Sequence, residues 1–131
     1  MSDEETLDPR DWEEARALGH RMLDDMLDHL RTRREHPAWR RMPKEAKARF
    51  AKRVPREPAG LEGAYEEFLE AIFPYPVGNT HPRFWGWVIG TGTVGGALAD
   101  FLASALNTNT GGLDHHSANH VERQVLDWIK E

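Results

Sequence analysis

The chain has 131 residues, a formal net charge of −5 at pH 7 and no cysteine, which bounds it to one ordinary domain and excludes a disulfide framework, a thiolate metal site and a cysteine nucleophile. Hydrophobic residues make up 39% and aromatics 9% of it, enough for packed structure rather than a disordered polymer. No apolar run reaches the roughly 18 residues that span a bilayer and residues 1–7 are acidic and polar, so neither membrane insertion nor export is indicated and a cytoplasmic setting is expected.

Charge is unevenly spread. Residues 1–60 hold 14 of the 17 Lys and Arg and 13 of the 22 acidic residues, leaving three basic and nine acidic in 61–131. The first element begins at Asp8-Pro9, a capping carboxylate followed by a residue suited to the first helical turn. From there a helix is expected to about Leu30, with Trp12, Ala15, Leu18, Met22, Leu23, Met26, Leu27 and Leu30 at three- and four-residue steps. That face needs an apolar partner. Between Arg31 and Arg56 lie eleven Lys or Arg against Glu35 and Glu45 alone, interrupted by Pro37, Pro43 and Pro55. This stretch reads as a solvated connector with a short helix around Lys44 to Lys52, and no nucleic-acid partner is expected of an acidic whole.

A second amphipathic helix follows Ala59-Gly60, carries Leu61, Ala64, Tyr65, Phe68, Leu69 and Ile72 on one face, and stops at Phe73-Pro74-Tyr75-Pro76. After the Gly78-Asn79 turn, Arg83 to Ile89 is short, aromatic and bounded by Pro82 and Gly90, and reads as an extended segment. Thr93 caps a third helix whose apolar positions, Val94 to Leu106, cover more than one face and call for burial on several sides. A loop from Asn107 to His116 leads to a fourth helix from Ser117, with Val121, Val125, Leu126, Trp128 and Ile129 inward. Glu131 follows that run with neither Gly nor Pro, a pattern expected of a chain that is truncated or split.

Three local patterns bear on chemistry. Gly90-Thr91-Gly92-Thr93-Val94-Gly95 fits the G-x-G-x-x-G of a dinucleotide-binding turn, with Asp114 about 20 residues on, but no second apolar strand follows to complete a β-α-β unit. His115, His116 and His120 cluster beside Asp114, and His116 and His120 share a helix face, yet the Glu of H-E-x-x-H is missing. They read as polar loop histidines, and no metal site is assigned. Ser104 and Ser117 sit in no nucleophile turn, so no catalytic residue is assigned either.

Taken as one string, Asn79-Thr80-His81-Pro82-Arg83-Phe84-Trp85-Gly86-Trp87, the Gly-rich residues to Gly96, Ala97-Leu98-Ala99-Asp100, Ala105-Leu106-Asn107-Thr108-Asn109 and Val121-Glu122-Arg123-Gln124-Val125-Leu126-Asp127-Trp128 resemble the pyridoxal-phosphate-dependent group II amino-acid decarboxylases, which include aromatic-L-amino-acid and glutamate decarboxylases. A looser likeness extends to the first helix and to Val54-Pro55 through Pro74. The resemblance implies a mainly α chain: an amino-terminal helical dimerisation segment over 1–78, then over 79–131 a substrate-loop segment and the start of the large domain of a fold-type I pyridoxal-phosphate enzyme.

It further implies a homodimeric carboxy-lyase whose partners are the large cofactor domain or a second subunit and an amino-acid substrate. The family's cofactor lysine follows a His. Lys44, Lys47, Lys52 and Lys130 do not, so the cofactor would not be bound covalently by this chain, which would be inert alone. By position, Trp87, Val88, Ile89 and Gly90 match the family's loop against the substrate side chain and carboxylate, with Trp87 where characterised branches carry Tyr or Gln. A Trp there favours a bulky or flat substrate. Asn109 and Gly111 match the stretch that crosses the dimer to the other subunit's pocket, Gly111 replacing a large aromatic. Two other classes stay open on the residues alone: a nucleotide-binding domain through Gly90 to Gly95, and a small non-catalytic helical interaction module.

Overall fold

A computed structural model describes residues 6–109, 111 and 116–131, and every regular element among them is helical. The chain divides into two compact units, Met1–Thr91 and Gly92–Glu131.

In the first unit, α1 runs from Trp12 to Thr32. Its cap is Asp11, not Asp8. The Asp11 carboxylate accepts the backbone N–H groups of Glu13 at 2.8 Å and Glu14 at 3.1 Å, satisfying two of the amides that every helix leaves unpaired at its start. Asp8 is occupied elsewhere: its N–H donates to the Thr6 hydroxyl at 3.1 Å and its carboxylate accepts from that hydroxyl at 3.2 Å. A single 3₁₀ turn, Arg33–Glu35, ends the element. The basic connector contains one short helix, α2 over Lys44–Arg49, following Pro43.

The helix expected after Ala59 forms as α3, Gly60–Glu67, and continues as a π-helical turn over Phe68–Ile72. That wider turn, invisible in the apolar periodicity, is closed by the Phe73 N–H on the Phe68 carbonyl at 2.9 Å, and the two rings stand 5.8 Å apart. Against α1 the main contact is Tyr65. Its hydroxyl donates to Asp25 at 2.6 Å, and the Arg21 guanidinium lies 5.3 Å over its ring while pairing with Glu62. Burial first, and the hydrogen bond to Asp25 second, push the Tyr65 phenol up to about 12. At the far end of α1, His29 meets the Phe73 ring edge-on at 4.7 Å, and burial lowers its pKa with help from the charges of His36 and Arg33. Arg49 reaches Glu67 at 3.1 Å and Glu70 at 2.8 Å, tying α2 to α3 and the π turn. Apolar burial is thin: among the described residues the buried hydrophobic side chains are Leu18, Tyr65 and Ala71.

The second unit holds α4, Val94–Leu106, and α5, Ser117–Lys130. Thr93 caps α4 as expected, its hydroxyl accepting the Gly96 N–H at 3.0 Å, and Asn107 ends it in the left-handed region at φ 45°. The cover that these apolar faces call for is not supplied among the described residues. Val94, Leu98, Phe101, Leu102 and Leu106 of α4 are exposed, as are Val121, Val125, Leu126, Trp128 and Ile129 of α5. Two helices alone have no third layer with which to cover such faces.

Candidate functional site

The aromatic stretch expected to be extended is a folded loop. Successive turn bonds, His81 N–H to the Gly78 carbonyl and Phe84 N–H to the His81 carbonyl, each 2.9 Å, fold the chain into turns as it enters the stretch and engage the Phe84 amide. Bends follow at Gly86, Trp87 and Val88, and Trp87 adopts φ 50°, which is rare for an aromatic residue. No strand precedes α4 among the described residues, so the Gly90 to Gly95 turn lacks the β-α-β frame that dinucleotide binding requires.

This loop is built on glycine and on two polar side chains. Gly78 sits at φ +88°, and a Cβ there would lie 1.9 Å from the Ala38 carbonyl oxygen, a backbone approach open only to glycine. A Cβ on Gly86 would come within 3.2 Å of the Phe84 ring, against which Trp87 also leans at 6.2 Å between centroids. His81 is 8% exposed; its Nδ1 accepts the Arg83 N–H at 3.0 Å, so in the neutral ring the proton is on Nε2, and Nε2 is buried with no partner among the described residues. Asn79 donates from Nδ2 to the Gly90 carbonyl at 2.7 Å and so joins the two ends of the loop. Asn79 and His81 stand in the sequence string without a role, because nothing in spacing announces a bond across eleven residues.

The four residues expected to face substrate are brought together here: Trp87, 78% exposed, with Val88, Ile89 and Gly90, all exposed. Asn109 and Gly111 lie in the second unit, where the Gly111 N–H donates to Asn109 Oδ1 at 2.9 Å. Of the histidine cluster, Asp114 and His115 fall outside the described residues. His116 is the residue before α5 and His120 is exposed in its first turns, and the described residues contain no grouping of metal ligands.

Two cavities open on the first unit. A groove of about 910 Å³ lies along Leu7, Asp11, Leu18, Arg21 and Leu61, and a cleft of about 280 Å³ is lined by His29, His36, Trp39, Phe73 and Pro76. Neither includes Trp87 to Gly90 or any lysine. All four lysines, Lys44, Lys47, Lys52 and Lys130, are exposed on the surface, with no enclosed site to hold a cofactor aldehyde against the amine. The residues present therefore do not fit the aldehyde end of pyridoxal phosphate.

No family model matches the chain. It is 28% identical over 131 residues to tryptophan decarboxylase 2 of Oryza sativa subsp. japonica, covering 96% of this chain and 26% of that protein. Tyrosine/DOPA decarboxylase 2 of Papaver somniferum is 26% identical over 126 residues, covering 92% and 23%. Aromatic-L-amino-acid decarboxylase of Bacillus atrophaeus is 24% identical over 120, covering 90% and 25%. The relatives that this chain resembles are plant and bacterial decarboxylases of aromatic amino acids. The chain spans about a quarter of the length of these relatives, in their amino-terminal region. Its fold is like that of a crystal structure of Catharanthus roseus tryptophan decarboxylase in complex with L-tryptophan, with a TM-score of 0.60 and 24% identity, over 78% of this chain and 22% of that one. The mainly α fold expected of the chain is thus observed, and it matches a segment of that structure. No described helix is long and apolar enough to cross a membrane.

Proposed function

We propose that this chain is the amino-terminal part of a cytoplasmic, homodimeric decarboxylase acting on a bulky or flat amino acid such as tryptophan or tyrosine. Residues 1–78 serve as the helical dimerisation segment, and 79–131 carry the substrate loop and lead into the large domain. In this reading Trp87, Val88, Ile89 and Gly90 form the wall against the substrate side chain and carboxylate, and Asn109 and Gly111 reach the other subunit's pocket. Pyridoxal phosphate, when bound by the complete enzyme, supplies the electron sink for loss of carbon dioxide. What this chain's own residues contribute is shape, a flat indole on a fixed loop and an apolar surface that excludes water. The observation that carries the proposal is the match of 96% of the chain to a tryptophan decarboxylase.

Exposed apolar surface supports it. All five Trp are exposed, whereas a self-sufficient monomer rarely leaves so many large apolar groups uncovered. Buried polar atoms without partners among the described residues, His81 Nε2 in one unit and His116 Nδ1 and both amide atoms of Asn119 in the other, are groups that a further chain segment would satisfy. The deciding experiment is to read the transcript beyond the Glu131 codon, then assay the joined product for carbon dioxide release from tryptophan, tyrosine and DOPA. A continuation that encodes a His-Lys cofactor site, with turnover of one of these, is the expected result. A stop codon, with no large domain encoded in or out of frame, would overturn it.

A further inference from the structure

We infer that Asn79 is a positioning residue that clasps the substrate loop, so that Trp87, Val88, Ile89 and Gly90 present a preset wall rather than one that adapts to its ligand. The inference rests on the reading of those four residues as substrate-facing. Its geometry does not: the Asn79 amide holds the Gly90 carbonyl at 2.7 Å from eleven residues away.

The Asn79 end of the clasp is itself fixed. Gly78 lies directly on the Ala38 carbonyl, and the Gly78–His81–Phe84 turn bonds lock the backbone on either side of Asn79. Within the exposed Trp85 to Ile89 stretch, the Phe84 ring lies against Gly86 and Trp87. Trp87 keeps its left-handed φ of 50°, a conformation that is unfavourable for an L-residue and persists only where its surroundings impose it. The clasp is the polar contact that closes the loop around this residue. An amide is suited to the task because the carbonyl needs a donor; the isosteric carboxylate of Asp has none when ionised.

The absence of cysteine from the chain allows a direct test. Spin labels on Val77→Cys and Thr91→Cys, both exposed positions flanking the loop, report the distance across the clasp in the full chain. The parent should give one narrow distance population. Asn79→Ala and Asn79→Asp at neutral pH should both lose it, with far-UV helix content unchanged. A narrow population retained in Asn79→Asp would mean that shape, not donation, matters, and would overturn the inference, as would retention in Asn79→Ala. Should either variant unfold, the parent alone still decides: NMR should detect a scalar coupling between Asn79 Nδ2 and the Gly90 carbonyl carbon, and its absence refutes the clasp. A chain with an intact clasp but no decarboxylase continuation would refute the proposed function alone, so the two ideas fail separately.

Discussion

Gly78→Ala tests the packing on which the candidate site stands. The new methyl would sit about 1 Å inside the 3.0 Å minimum approach to the Ala38 oxygen, at φ +88°. A left-handed L-residue costs about 1–2 kcal/mol, and relieving a backbone clash by shifting packed elements costs about 1–3 kcal/mol more. Gly60→Ala, in the same unit, separates the two effects, because Gly60 is at φ +71° with nothing within 4 Å of its Cβ position. It should lose the conformational part only. Urea unfolding followed by tryptophan fluorescence and by circular dichroism would read both. Gly78→Ala should fall below Gly60→Ala by about 1–3 kcal/mol, near 4–8 °C in Tm for each kcal/mol in a domain of this size. Coincident midpoints would mean that residues 78 and 38 are not in backbone contact, and the anchoring of the loop would have to be abandoned.

The remaining predictions concern α1 and its partners. Asp11→Ala should destabilise the first unit by about 1 kcal/mol through loss of the cap, while Asp8→Ala should stay within about 0.5 kcal/mol of the parent; equal effects in thermal unfolding would mean the helix begins elsewhere. Tyr65→Phe should cost about 1–2 kcal/mol by removing the donor to Asp25 and should abolish the phenolate that titrates at about 12 in ultraviolet difference spectra. Because that pKa is raised, the stabilisation from Tyr65 is complete below the unfolded value of about 10 and is lost as pH rises through the folded one. His29 has the opposite sense: its lowered pKa favours the neutral ring, so stability is full above about pH 6.5 and falls as pH drops through that value toward the folded one. In His29→Phe, the acid-side loss of stability should shrink; an unchanged slope between about pH 8 and 5 would deny His29 that part.

Helix existence and caps near α4 were legible because each depends on neighbours in sequence: Thr93 is followed by an apolar run, and Ser117 opens α5. Asp8 misled because two capping carboxylates lie three residues apart, and the hydroxyl of Thr6, which engages one of them, carries no sequence signature. The π turn after Glu67 escaped because the apolar spacing of Phe68 to Ile72 suits an α-helix as well. For the candidate site, the family resemblance located Trp87 to Gly90, yet composition read the segment as extended, since β-branched and aromatic residues favour strands. What folds it instead is nonlocal or turn-level geometry: glycine at 78 on a carbonyl forty residues upstream, and an amide clasp to residue 90. The exposure of α4 has a plainer reason. An apolar sequence states that a face must be covered, not that this chain covers it.

That last point has a measurable consequence. Isolated helices of 13 or 14 residues are marginal in water, and α4 has Gly95 and Gly96 in its first turn, each about 1 kcal/mol worse than Ala in a helix interior. α1 is 21 residues long, capped by Asp11 and fastened to α3 through Tyr65, Arg21 and Glu62. When the 131-residue chain is studied alone, backbone amides of α1 should therefore exchange with solvent far more slowly than those of α4 and α5. Covering the second unit should reverse this, because each large apolar side chain taken fully out of water contributes about 1.5–3 kcal/mol, and Phe101, Leu102, Leu106, Trp128 and Ile129 are all available. Protection in α4 and α5 should then rise together with any partner that buries them, whether the large domain or another subunit. Equal protection of α1, α4 and α5 in a strictly monomeric chain would refute the argument, for it would show that two short helices with exposed apolar faces are stable without a cover.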